Sequence, residues 1–366
     1  MQRRTFLTAL AIPFVKTYGQ APSKVTRSEH AVRALHVIDQ DRRDALVRNV
    51  QGKSPSELNS LIPEISDIEV LNGASQRSGR KSLRLIAWNT ERGRYWREGA
   101  RLITETPALS DPDIIFLGEM DLGMARSSNE HTTREMAAAL KMNYAYGVEF
   151  LELTGGELQE RIDYPGKNRV GYHGNAILSK YPLQDVRLLR FPGIEKWYAG
   201  KEYGASESEQ VQKRLGGRMA LLATINPGRK ITVVSTHLES SLRDKMTRNE
   251  QMAILLDDVQ KYSVDSPVII GGDLNGAPDE PLFEHVKQFG FRLEDTNDTR
   301  GGTVQRMKDN KVVIADRYID YLLVKGLKTI RNDTSPRVIP AVYPSGENGK
   351  LLSDHAIVTA SVVLNT

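Results

Sequence analysis

VIIGGDLNG, residues 268–276, runs three apolar residues into two glycines, a carboxylate and an amide. A continuous apolar run of this length reads as a strand buried on both faces. The glycines around Asp273 and Asn275 allow a tight turn and a close approach of backbone to a ligand. Four other segments repeat the arrangement: LRLIAWNTERG (83–93), DIIFLGEMD (113–121), VVSTHLES (233–240) and LLSDHAIVTASV (351–362). Strands that run inward and stop at Asn89, Glu119, His237, Asp273, Asn275, Asp354 and His355 bring these groups to one rim of a sheet. That is an active-site geometry.

Between these segments, apolar runs alternate with helical patterns. The spacing predicts a strand ending at Asn89, a helix over 95–106, a strand over 114–117 and a helix over 132–141. Further strands are expected over 175–178, 218–225, 231–237, 268–271, 318–324 and 356–363. Most lack strict alternation, so their sheets must be covered on both faces. The predicted class is therefore α/β, a four-layer sandwich of two packed central sheets with helices outside. Residues 191–216 carry no periodicity and read as a long surface loop bordering a substrate cleft.

The 366 residues divide into an export segment (1–21), a helical leader and linker (22–81) and a catalytic domain (82–366). The leader shows short amphipathic turns around Val32 to Val50 and a helix start at 54–57, and is assigned no chemistry. MQRRTFLTALAIPFVKTYGQ (1–20) has paired arginines before an apolar stretch too short to span a bilayer. It resembles a twin-arginine export signal, with Gln2 where that pattern has Ser or Thr, and predicts a periplasmic or extracellular protein. Arg3, Arg4 and Lys16 lie here without an acid, so the net charge of +4 falls to +1 for residues 21–366. The high pI of the whole chain is thus no sign of a nucleic-acid surface. Zero cysteines exclude disulfides and thiolate metal sites.

Clustered carboxylates and amides are hard oxygen donors, suited to Mg²⁺ or Mn²⁺. An acid straight after the apolar run 113–118 makes Glu119 the leading ligand, because a charge buried there is costly unless coordinated or paired. Two histidines alongside suit proton transfer or neutralisation of developing charge, and metal-assisted phosphoester hydrolysis needs both kinds of group.

In their order and content, the five segments resemble the endonuclease/exonuclease/phosphatase superfamily, the DNase I-like fold, over about residues 82–364. HLES at 237–240 is most similar to the tyrosyl-DNA phosphodiesterase-like members. The resemblance implies that Asn89, with Glu91 and Asp354, joins Glu119 around the metal. It further implies that Asp273 orients or deprotonates the attacking water and Asn275 helps fix it, that His237 meets a phosphate oxygen, and that His355 faces the scissile phosphate with Asp320 orienting it. GYHGNAILSKYPL (171–183) matches a family strand motif and offers His173 and Asn175 as substrate contacts. Many members have Arg-Ile-Asp-Tyr around the orienting acid, whereas this chain has Tyr318 in place of the arginine and Arg317 one position earlier. The general base is left open between Asp273 and His355. Arg92, Arg94 and Arg97 form a candidate phosphate-gripping patch, while Arg248 and Gln251 are expected to face solvent. The expected substrate is a phosphodiester, nucleic acid ahead of a sphingomyelin-type lipid or inositol phosphate. The alternative class is a binding module that kept the fold without turnover. Neither a membrane span nor an obligate protein partner is expected.

Overall fold

The apolar runs become two sheets stacked face to face. The computed structural model describes residues 25–364 apart from 50–52, 54–56, 58–59, 75–76, 193–212, 241–244, 310, 331–336 and 345–348. The expected export segment, most of the helix start at 54–57 and most of the loop at 191–216 lie outside the described residues.

One sheet has six strands, in the order Thr26–Ser28, Gln184–Arg190, Met219–Ile225, Ile231–His237, Val268–Asp273 and Asp320–Lys325. The other, of ten, is built around Ile357–Val363, Ser82–Asn89, Ile114–Leu122, Tyr172–Ser179 and Asn143–Glu152. Period-two alternation sends each strand's side chains to both faces. Leu83, Leu85, Ala87 and Phe116 meet Ile269, Val233 and Leu322 of the opposite sheet in the central layer. Ile86 and Trp88 point the other way, into a core shared with Leu102, Ile103, Met136 and Leu140 of the helices Trp96–Glu105 and Thr132–Leu140. Val234 and Ile270 pack outward with Leu255, Val259 and Phe283 of the helices Lys245–Tyr262 and Leu282–Phe289. This is the expected four-layer α/β sandwich.

The register decides what meets at the rim. Ile231–His237 and Val268–Asp273 run parallel with His237 opposite Asp273. Asp320 begins the antiparallel strand on the far side, opposite Asp273. His237, Asp273 and Asp320 therefore stand in one row across three neighbouring strands, about 5 Å between successive side chains. In the other sheet Asn89 ends a strand opposite Gly118.

Several expectations need correction. The strand at 114 does not stop before Glu119 but runs to Leu122 through a bulge between Leu117 and Met120, with Glu119 at φ 58° as the extra residue. Asp320 opens its strand and His355 precedes one, because antiparallel neighbours begin at the rim where the parallel strands end. The leader is only partly helical: Gln40–Asn49 is a helix, but Thr26–Ser28 pairs with the six-stranded sheet and Ile68–Leu71 with the ten-stranded one. Asn143–Glu152, inside the ten-stranded sheet, and Gln184–Arg190, next to the edge of the six-stranded one, are strands that the periodicity did not reveal. Arg248 and Gln251 are buried rather than solvent-facing: Arg248 pairs with Glu280 at 2.7 Å and the Gln251 side chain accepts from the Glu239 amide at 2.8 Å. Among the described residues no helix is long and apolar enough to cross a membrane.

Candidate active site

Asp273 is the centre of the rim. Its Oδ1 accepts the Asn275 backbone N–H at 2.8 Å. Its Oδ2 accepts from Asn89 Nδ2 at 3.2 Å, with Nε2 of His237 at 3.5 Å and Nε2 of His355 at 3.9 Å. Three nitrogens from three other strands or loops thus converge on one oxygen that is almost wholly buried. Burial, and then the charge of Asp320, push the Asp273 carboxyl up to about 7.

His355 is held from behind. Its Nδ1 lies 2.8 Å from Oδ2 of Asp320, its backbone N–H donates to Oγ of Ser353 at 2.9 Å, and its carbonyl accepts from Trp88 Nε1 at 3.2 Å. Ser353 Oγ donates in turn to the Asn89 carbonyl at 2.7 Å, tying the loop of one strand to the end of another. Burial would lower the imidazole, but the Asp320 carboxylate, with Asp273 and Asp354 behind it, raises it well above its ordinary value. This favours the imidazolium form of His355, oriented by Asp320, whose Oδ1 has no hydrogen-bond partner of its own. His237 is the opposite case: burial, and then the Arg218 charge, hold it well below the ordinary imidazole value. The two histidines flank Asp273 with their basicity shifted in opposite directions.

The second half of the cleft is carboxylate-rich. Glu119 ion-pairs with Arg92 and accepts from Asn89 Nδ2 at 3.1 Å. Burial alone would push this carboxyl up, yet Arg92, with the histidines 173, 237 and 355, holds it well below the usual range. Glu91 accepts the Asp354 amide at 3.0 Å and pairs with Arg94. Partial burial, and then the Asp354 charge, push Glu91 up, as expected where carboxylates crowd. The donor set of Glu119, Glu91 and Asp354 is hard oxygen throughout, which fits Mg²⁺ or Mn²⁺. A ligand atom each of Asp273, Asp320 and His355 also falls within 4.8 Å of the others, a second grouping of metal-ligating type. Asn89 differs from expectation. Its Oδ1 accepts the Glu91 amide at 3.1 Å, so the nitrogen, not the oxygen, faces Glu119 and Asp273.

The structure brings Asn89, Glu91, Glu119, His237, Asp273, Asp320, Asp354 and His355 to this rim. Asn175 lies under it, fully buried with Oδ1 unpartnered. Asn275 stands at φ 53° and spends its side-chain nitrogen on the Leu238 carbonyl at 3.1 Å, so it shapes the turn that holds Asp273. His173 is turned away into a buried cluster, 2.9 Å from Asp121, whose carboxylate is clamped by Arg126 at 2.9 Å on both oxygens. The three arginines of the candidate phosphate grip are each committed: Arg92 to Glu119 and Glu160, Arg94 to Glu91, and Arg97 to Glu130. Tyr318, at the position of the departing motif, is buried with its ring tilted against Tyr321, centroids 5.0 Å apart.

Two residues escaped the sequence reading. Glu149, fully buried, lies 3.9 Å from Nδ1 of His237, and Arg218 Nη1 donates to its Oε1 at 2.7 Å. The available signal was a carboxylate inside the apolar run NYAYGVEFLE, where an acid is costly without a partner.

With this geometry established, known proteins supply a comparison. Residues 86–355 match the model of the Endonuclease/Exonuclease/phosphatase family. Nocturnin of Drosophila melanogaster is 28% identical over 277 residues, covering 73% of this chain and only 37% of that relative's length. An endonuclease/exonuclease/phosphatase from Beutenbergia cavernae superimposes with a TM-score of 0.51 at 19% identity, covering 78% of this chain and 72% of the other. A mannosyl-6-phosphatase from Bacteroides thetaiotaomicron does so with 0.52 at 16%, covering 77% and 100%. Both solved structures share the fold.

Proposed function

We propose, since the chain belongs to the Endonuclease/Exonuclease/phosphatase family and is a hydrolase of the phosphoesterase type, that it cleaves phosphodiesters, nucleic acid above all, with Mg²⁺ or Mn²⁺. The observation that carries this is the convergence on Oδ2 of Asp273 of Asn89, His237 and His355, beside a cluster of hard-oxygen carboxylates. Such a centre suits an attacking water on one side and a phosphoryl group on the other.

Asp273, with its carboxyl near 7, takes the proton of the attacking water; its Oδ1 is fixed by the Asn275 amide, leaving Oδ2 to face the cleft. His355, kept positive by Asp320, sets a charge where negative charge develops on the phosphoryl oxygens and is a proton donor for the leaving oxygen. His237 lines the same oxygen from the neighbouring strand. Glu119, with Glu91 and Asp354, would hold the divalent cation, which supplies Lewis-acid polarisation of a phosphoryl oxygen when bound. Asn89 fixes the Glu119 and Asp273 carboxylates relative to one another.

HLES at 237–240, similar to the DNA-processing branch, supports nucleic acid. Because Arg92, Arg94 and Arg97 are each paired with a carboxylate, this reading assigns the grip on phosphate to the histidines rather than to a basic patch. The test is a panel of DNA, RNA, 5′-adducted DNA, sphingomyelin and inositol phosphates with Mg²⁺ or Mn²⁺. Cleavage of DNA or RNA well above the rest is the expected result. A lipid or inositol phosphate cleaved far faster refutes the substrate, and no cleavage of any of them refutes the reaction. The paired arginines before the apolar stretch at 1–21 support export by the twin-arginine route to the periplasm or beyond.

A further inference from the structure

The loop that carries His355 is also the root of an arm. Gln305–Lys308 and Lys311–Ile314 pair antiparallel as a two-stranded sheet joined to neither of the large ones. Val304 bridges to His355, and the Gln305 backbone N–H donates to the Asp354 carbonyl at 2.7 Å. The buried Gln305 side chain donates from Nε2 to the carbonyls of Ser353 at 2.9 Å and His355 at 3.2 Å. A group held by the arm is therefore held in register with His355. Past this root, alternation puts Arg306, Lys308, Lys311 and Val313 on one face and Met307, Val312 and Ile314 on the other. The basic face is not neutralised. Arg306, Lys308 and Lys311 are exposed and, among the described residues, have no carboxylate partner, unlike Arg92, Arg94 and Arg97. Asp309, at the turn with φ 49°, is the single acid of the arm. Lys308 stands directly opposite Lys311, a like-charge pair that destabilises a ribbon. A bound anion turns that repulsion into attraction.

We infer that this arm binds the sugar–phosphate backbone of a nucleic-acid strand beside the bond to be cut, with Arg306, Lys308 and Lys311 meeting phosphates that flank the scissile one. The inference rests on the phosphodiester reading above and deepens it: the histidines take the scissile phosphate, and the arm takes its neighbours. Arg306 and Lys308 share a face two residues apart, about 7 Å along the strand, so the charge forms a row and not a point. A row suits a chain of phosphates better than a single phosphate group. An anionic bilayer also attracts cations, but an arm that enters one presents large apolar or aromatic side chains to it. Here the tip is Lys308, Asp309 and Lys311, the apolar pair Met307 and Val312 lies behind it, and the arm has no aromatic residue.

The test is fluorescence anisotropy of a short labelled single-stranded oligodeoxynucleotide titrated with the full chain in chelator, where cleavage does not interfere. The variant combines Arg306→Gln, Lys308→Gln and Lys311→Gln. A control removes the same charge at the opposite ends of the strands, with Arg229→Gln, Lys230→Gln and Lys328→Gln. The arm variant is expected to raise Kd at least about tenfold and to flatten the slope of log K against log salt by about 2, three contacts at about 0.7 each. The control should shift Kd less than about twofold. Equal losses in the two variants, or an unchanged slope in the arm variant, overturn the assignment. So does an arm variant that keeps its affinity for the oligonucleotide but no longer binds phosphatidylserine vesicles, which would give the arm to a lipid surface. If the arm variant does not fold, side-chain NMR of the wild type decides: the signals of Arg306, Lys308 and Lys311 should move on titration with the oligonucleotide, and unmoved signals overturn the inference. Absence of phosphodiester cleavage by the wild type with Mn²⁺ would instead overturn the hydrolase reading, and the binding result would still decide the role of the arm.

Discussion

Asp320→Asn isolates the charge behind His355 while keeping its shape. In the wild type the imidazole Nδ1 and the Asp320 carboxylate lie 2.8 Å apart, both almost fully buried. A hydrogen bond to a charged group contributes about 1.5–3 kcal/mol and a neutral one about 0.5–1.5, so the exchange removes about 1–2 kcal/mol. The larger cost of orphaning a buried charge, about 3–5 kcal/mol, does not apply, because the ring can release its proton and remain buried as the neutral form. The sign with pH follows from the raised imidazole. Its stabilising contribution is fully present below the ordinary value of 6.5 and is lost as pH rises through the folded value. Urea unfolding should therefore show the variant about 1–2 kcal/mol less stable at pH 6, and the two proteins should converge toward alkaline pH. Turnover at neutral pH should fall at least about tenfold, since the oriented imidazolium is lost. A variant as stable as the wild type at pH 6, or a deficit of the same size at every pH, would refute the claim that the pair is charged.

Turnover should require an added hard divalent cation and stop on chelation, and Glu119→Gln should weaken Mn²⁺ binding in calorimetry and lower the unfolding midpoint, because Arg92 loses a carboxylate partner; full activity in excess chelator would contradict the carboxylate set at 91, 119 and 354. His355→Ala and Asp273→Asn should each lower kcat by at least about a hundredfold, the scale of a lost acid–base group, as read on the best substrate of the panel. Near-normal turnover in either would remove it from the centre. Replacing Arg3 and Arg4 together with lysine should leave the protein in the cytoplasm, checked by fractionation, and unchanged localisation would exclude the twin-arginine route.

The fold class and most of the site residues were legible because each depends on local pattern. Unalternating apolar runs mean covered strands, and a polar group at the end of such a run has to face a rim, as Asn89, His237 and Asp273 do. What pattern alone misplaced were residues whose setting is made by distant partners. Glu119 is presented by a bulge against Tyr172–Ser179, not by the end of its strand. Arg92, Arg94 and Arg97 look like a phosphate grip in a linear reading, yet each finds a carboxylate 3 to 68 positions away along the chain. His173 matches a motif but turns into the Asp121 and Arg126 cluster. Glu149 stayed hidden because its strand lacks a distinctive period and its partners, Arg218 and His237, come from the opposite sheet. By itself the sequence determined most of the strands that end at the rim, their buried character and the hard-oxygen and imidazole chemistry, since these follow from residue type and spacing. Only the tertiary structure decided the row of His237, Asp273 and Asp320, the opposite shifts in basicity of the two histidines and the pairing of each arginine, because register, burial and Coulomb interaction act between groups that the chain keeps far apart.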